Sequence, residues 1–142
     1  MCIRDSYSSA PDDVWHVNRA ITQWNKGDTI HLERVYAPCE LCITISEEST
    51  PLHDIGGALW VGFSYPSLYA GTTTMATCGI VLNSDHAVQA PVPLAAATHE
   101  IGHCLGLDHS NAKWSIMGEF SYGMIRPRNH DFKKLASLYA VP

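Results

Sequence analysis

Apolar positions along this chain change their period several times, and each change predicts an element. Val14, Val17, Ile21 and Trp24 recur at helical spacing behind Pro11, Asp12 and Asp13, which supply proline and acidic start signals, and Gly27 stops the run. From Ile30 to Leu32, and again through Leu41, Ile43 and Ile45, apolar residues alternate with polar ones, as in half-buried strands. Gly56-Gly57 introduces a run from Ala58 to Phe63 with aromatic and β-branched members, which reads as a strand. Gly79 to Asn83 is a further short strand, after a Thr-rich stretch at 72 to 77 to which the pattern assigns no form. Pro93 opens the central helix. At about 100° per residue, Leu94, Ala97, Ile101 and Leu105 share one stripe, while His99 and His103 lie roughly opposite. An irregular stretch from Gly118 to Arg128 follows, and Asn129 then caps a last helix with Phe132, Leu135, Ala136 and Tyr139 inward. Helix, strands, helix, turn and helix in that order predict an α+β fold with a mixed sheet.

Composition narrows the picture. The chain has 142 residues, 46% hydrophobic and 16% charged, which suits one globular domain with a real core. Its formal net charge is −5 and no Lys/Arg run occurs, so nucleic acid and anionic membrane surfaces are not expected partners. No apolar stretch approaches membrane-spanning length, and the opening residues lack the basic-then-apolar layout of a secretory signal. Residues 1–6 look foreign to the domain, like translated adapter, so a non-native leader at 1–6 and a single domain at 7–142 are expected. Setting Cys2 aside leaves Cys39, Cys42, Cys78 and Cys104, enough for two disulfides in a secreted protein. Of the three pairings, Cys39–Cys42 with Cys78–Cys104 is preferred; free buried thiols and half of a zinc knuckle are the competing readings.

The candidate chemistry lies in His99-Glu100-Ile101-Gly102-His103-Cys104-Leu105-Gly106-Leu107-Asp108-His109. His99 and His103, four apart, project from one helix face. Gly106 lets the chain leave that helix at φ > 0 and turn sharply, bringing His109 back as a third ligand. Three protein ligands leave one position for water, the arrangement of catalytic zinc. Glu100 cannot join as a ligand, but its carboxylate can reach that water. Five positions of uncommon residue types fix the pattern, so chance agreement is on the order of one window in ten million.

This stretch resembles the HExxHxxGxxH signature of the metzincin metallopeptidases, and Ser115-Ile116-Met117 is similar to their Met-turn. Met117 follows His109 by eight residues, and Ser110 stands directly after the third histidine; both features are similar to the matrixins, the matrix metalloproteinase branch. The resemblance is specific only over residues 99 to 117. It implies a metzincin-like mixed twisted sheet with an active-site helix, a Met-turn and a C-terminal helix. It also implies a secreted, extracellular zinc endopeptidase that hydrolyses peptide bonds by a zinc-activated water. His99, His103 and His109 would bind the metal, Glu100 would be the general base, and Met117 would form an apolar floor. A matrixin-like strand at Ala58, Leu59, Trp60 and Val61 would pair with an extended peptide or protein substrate, and Phe120 and Tyr122 would wall a side-chain pocket. A monomer is expected.

The chain also departs from matrixins. The segments around Leu59 to Val61 and Ile80 to Asp85 lack the histidines of a structural zinc site, so one zinc is expected. Glu119 stands where astacins and serralysins carry a zinc-binding Tyr. Glu47, Glu48, Asp54 and Asp85 offer oxygen ligands for Ca²⁺, although solvated acidic loops are the commoner use. Asp108 reads as a loop acid or as an acceptor for a ligating imidazole. The alternative functions are a catalytically weak, zinc-containing peptide-binding module, disfavoured by the intact Glu100, and a zinc hydrolase of non-peptide amides.

Overall fold

The computed structural model describes residues 6–8, 12–37, 42–49, 61–71, 75–86, 92–119 and 124–140. Its elements are β1 (Ser6–Ser8), α1 (Asp12–Trp15), α2 (Val17–Trp24), β2 (Arg34–Val35), β3 (Ile43–Glu48), β4 (Gly62–Leu68), β5 (Met75–Asn83), α3 (Val92–Cys104) and α4 (Asn129–Leu138). This is the expected α+β class. The five strands form one mixed sheet in the order β2-β1-β3-β5-β4, parallel throughout except for β4, which runs antiparallel to β5 at one edge. Ser6, grouped with the leader above, is the first residue of β1; Met1 to Asp5 and Leu41 lie outside the described residues.

One sheet face carries the core. Ile43, Ile45, Cys78, Ile80 and Leu82 are buried, whereas Thr44, Phe63, Tyr65 and Thr77 on alternate positions are exposed. Helix α3 lies against β4 and β5 and packs on α2. Its predicted stripe is the buried one: Leu94, Ala97, Ile101 and Leu105 are at most 2% exposed. In α4, Leu135 is fully buried and Phe132 and Tyr139 pack against the core, but Ala136 is exposed. Arg128, not Asn129, is the N-cap of that helix.

Two departures from the hydrophobic pattern have clear causes. The first helix breaks at His16, whose φ of 53° is left-handed. The break lets Trp15 and Val17, two apart, both reach the core, while Val14 is only half-buried. A left-handed residue costs about 1–2 kcal/mol, and full burial of a large apolar side chain contributes about 1.5–3 kcal/mol, so the packing outweighs the strain. Asp12 supports the break by accepting from Asn18 N at 2.8 Å and from Arg34 Nη1 at 2.9 Å. The second departure is the expected strand at Ile30 to Leu32. Both residues are buried, but the Asn25 side-chain amide takes the two backbone groups of Leu32, donating to its carbonyl at 2.7 Å and accepting from its N–H at 2.8 Å. A side chain thus replaces the strand neighbour, and ladder pairing begins only at Arg34.

The apolar run assigned to 58–63 is displaced as well. Strand β4 begins at Gly62, and residues 58–60 lie outside the described residues. Pro66 suits an edge strand, where a missing N–H need not face a neighbour. Strand β5 extends back to Met75, and Tyr65 lies directly over Gly79 across the ladder.

Cys78 and Cys104 form a disulfide that ties β5 to the last residue of α3, across a sequence separation of 26. Cys42 is also disulfide-bonded; Cys39 lies outside the described residues. The loop closed by Cys78–Cys104 predicts stabilisation of about 3.5 kcal/mol through the unfolded chain. The double substitution Cys78→Ala/Cys104→Ala should therefore lower the unfolding free energy by about this amount in a urea titration. An unchanged midpoint and slope would contradict it.

Candidate metal centre

Helix α3 ends in a Schellman motif. Leu107 N donates to Gly102 O at 3.0 Å, Gly106 N donates to His103 O at 2.9 Å, and Gly106 sits at φ 92°. The positive φ is the turn the sequence pattern required of Gly106. It redirects the chain so that His109 faces the helix, and the three imidazoles converge. His103 Nε2 is 3.0 Å from His99 Nε2, which is 3.3 Å from His109 Nε2.

The outer ring nitrogens decide what this convergence means. His99 Nδ1 lies 2.7 Å from the carbonyl oxygen of Ile116, and His103 Nδ1 lies 2.7 Å from that of Leu107. A carbonyl can only accept, so the hydrogen-bond network assigns the proton of each neutral ring to Nδ1 and leaves a bare lone pair on Nε2. Burial holds His99 in the neutral form, lowering its pKa to about 4 against the opposing effect of the Ile116 carbonyl, and it lowers His103 as well. Two bare nitrogens 3.0 Å apart cannot hydrogen-bond to each other; they repel unless a cation lies between them. Neutral imidazoles oriented by backbone carbonyls are a fitting donor set for zinc. Among the described residues, His99, His103 and His109 form the one group of His, Cys, Asp and Glu side chains able to hold a metal ion. Glu47, Glu48 and Asp85 form no such group, and Asp54 lies outside the described residues. Asp108 is exposed, and backbone carbonyls serve as the acceptors for His99 and His103.

The carbonyl beside His99 is itself fixed in place. Asp131 on α4 is 1% exposed; its carboxylate accepts from Ser115 Oγ, from Ile116 N at 3.3 Å and from Arg128 N at 2.8 Å. Ser115 Oγ also accepts from Met117 N at 3.0 Å, and Ser110 N donates to Met117 O at 2.8 Å. One buried carboxylate thus holds the 115–117 turn, and the turn orients His99. Met117 lies fully buried against Gly102, where an added Cβ would strike its sulfur and come within 2.9 Å of Trp24. Neither Asp131 nor Gly102 stands out in the sequence. Asp131 reads there as an ordinary acid in the first turn of a helix.

Glu100 is 7% exposed and faces β4. A Cβ on Gly62 would come within 2.8 Å of its Cγ, so the absence of a side chain there lets the carboxyl lie against the strand. Burial pushes the Glu100 pKa up to about 7, and a hydrogen bond from Ser64 works in the opposite direction. A neighbouring dication would also favour the carboxylate. Of the residues expected to contact substrate, Val61 is partly buried against the core and its carbonyl accepts from Asn83 N at 2.8 Å. Ala58, Leu59, Trp60, Phe120 and Tyr122 lie outside the described residues.

A family model for matrixin peptidases matches residues 11–140, almost the whole chain. The chain belongs to the matrixin family. Matrixins are zinc-dependent endopeptidases, and the histidine group in this matrixin could hold their metal. A comparison with individually curated proteins found no match. No helix among the described residues is long and apolar enough to cross a membrane.

The hydrogen bonds around Asp131 generate a prediction. Asp131→Asn keeps the volume but leaves a single acceptor oxygen for donors now shared between two. The folded variant should bind zinc about tenfold more weakly or worse in competition with a chromophoric chelator. Unchanged affinity would show that the 115–117 turn does not orient His99.

Proposed function

We propose that this matrixin is a secreted zinc endopeptidase whose metal is held by His99, His103 and His109 through Nε2, with Glu100 as general base. The observation that carries the reading is the convergence of three Nε2 atoms, with the outer nitrogens of His99 and His103 committed to the Ile116 and Leu107 carbonyls. When bound, zinc supplies a Lewis acid that polarises a carbonyl and lowers the pKa of a water from about 15.7 towards 7.

The chain's own groups do the rest. Glu100 accepts the proton of the attacking water on a carboxylate oxygen and later delivers it to the departing amine nitrogen. Its closeness to Gly62 and Ser64 puts this carboxyl beside the edge strand. Among the described residues strand β4 pairs with β5 on one side only, so its other side can accept an extended peptide through main-chain hydrogen bonds. Ala58, Leu59, Trp60 and Val61 would continue that strand, and Phe120 and Tyr122 would wall the pocket on the leaving-group side. Met117 forms the apolar floor beneath the rings. The buried Cys78–Cys104 disulfide favours an oxidising, extracellular setting.

Glu100→Gln tests the reading directly. It should keep zinc at one equivalent and lower the rate at which new amino termini appear in a protein mixture by about 10²-fold or more. Full activity in the variant would remove Glu100 from the mechanism. A wild-type protein that binds zinc and peptides without releasing amino termini would instead be a binding module.

A further inference from the structure

Four of the nine Lys and Arg residues of this acidic chain surround one open groove of about 730 Å³. Lys26 follows α2, Lys113 lies between His109 and the 115–117 turn, and Arg126 and Arg128 precede α4. Among the described residues no Asp or Glu lines the groove, and the ion pairs His31–Glu33 and Arg34–Asp12 involve none of its cations. Crowding like charges is unfavourable, and the net charge of −5 makes the rest of the chain more acidic still. Trp114 adds an apolar surface. It is 61% exposed at a left-handed φ of 68°, and the Lys113 ammonium sits 5.2 Å from its ring centroid. The groove adjoins the histidine cluster, since His130 on its wall lies 3.2 Å from the hydroxyl of Ser110, the residue after His109.

We propose that this groove is a second binding site, for a short acidic stretch of polypeptide. Its volume falls in the usual range of ligand sites, about 300–1,000 Å³. Arg126 and Arg128 offer planar forks that match carboxylates, and Lys26 and Lys113 add point charges. Trp114, Met124 and Pro127 alternate with these cations and suit the mixed side chains of a peptide. A sulfated glycan is the less favoured ligand, because it would leave the apolar surfaces of Trp114, Met124 and Pro127 without partners. The site would recruit acidic proteins to the neighbourhood of the histidine cluster and set a preference separate from the contacts along β4.

The test reads binding, so it stands whether or not the chain cuts peptides. In a Glu100→Gln background, fluorescence anisotropy would follow a fluorescein-labelled octapeptide of alternating Glu and Gly. Its Gln-and-Gly counterpart and a sulfated tetrasaccharide would serve as comparisons. The acidic peptide should bind about tenfold tighter than the neutral one or better, and about 0.5 M salt should erase the difference. Lys26→Glu/Arg126→Glu, two exposed positions, should abolish the preference, with Lys26→Gln/Arg126→Gln as a milder second variant. Equal binding of both peptides, or an undiminished preference in both variants, would overturn the proposal. A sulfated tetrasaccharide that binds more tightly than the acidic peptide would overturn it in favour of a glycan site.

Discussion

Two hydrogen bonds govern this molecule, those from His99 Nδ1 to Ile116 O and from His103 Nδ1 to Leu107 O. Each commits the outer nitrogen of a ring to a backbone carbonyl and turns the other nitrogen's lone pair towards its neighbours. Burial then keeps the rings from relieving the crowding by taking up protons. A cation is the remaining way to satisfy them. The metal preference is therefore a property of where two carbonyls lie, and much of the fold can be understood as the means of holding them there.

Leu107 O is placed by the Schellman ending of α3, which depends on the left-handed Gly106. Ile116 O is placed from α4, by the Asp131 carboxylate acting on the 115–117 turn. The two supports reach the cluster through different elements, so the rings are oriented by α3 and α4 together. Trp24 closes the arrangement from below. Its indole N–H donates to Thr98 O at 2.9 Å, and its ring meets Phe132 edge-on at 6.0 Å. Gly102 permits this close packing because anything larger would collide with Met117 and Trp24.

The parts of the structure legible in the sequence were those written as spacing. The buried stripe of α3, the turn at Gly106 and the meeting of three histidines all follow from short-range periodicity. What the pattern missed depends on partners distant in sequence. The break at His16 comes from competition between Trp15 and Val17 for one core. Leu32 loses its strand to the side chain of Asn25. Asp131 looks like a first-turn acid until its donors at Ser115 and Ile116 are seen. The basic groove is likewise invisible in sequence, because its cations come from three separate segments.

With zinc bound, three imidazoles and one exchangeable oxygen ligand should surround a single ion, and X-ray absorption at the zinc edge, on protein loaded with one equivalent, reads that set. Three nitrogen scatterers at about 2.0–2.1 Å, one oxygen at a similar distance and no sulfur are expected. A sulfur shell near about 2.3 Å, or loss of the imidazole signal at full zinc occupancy, would contradict that ligand set.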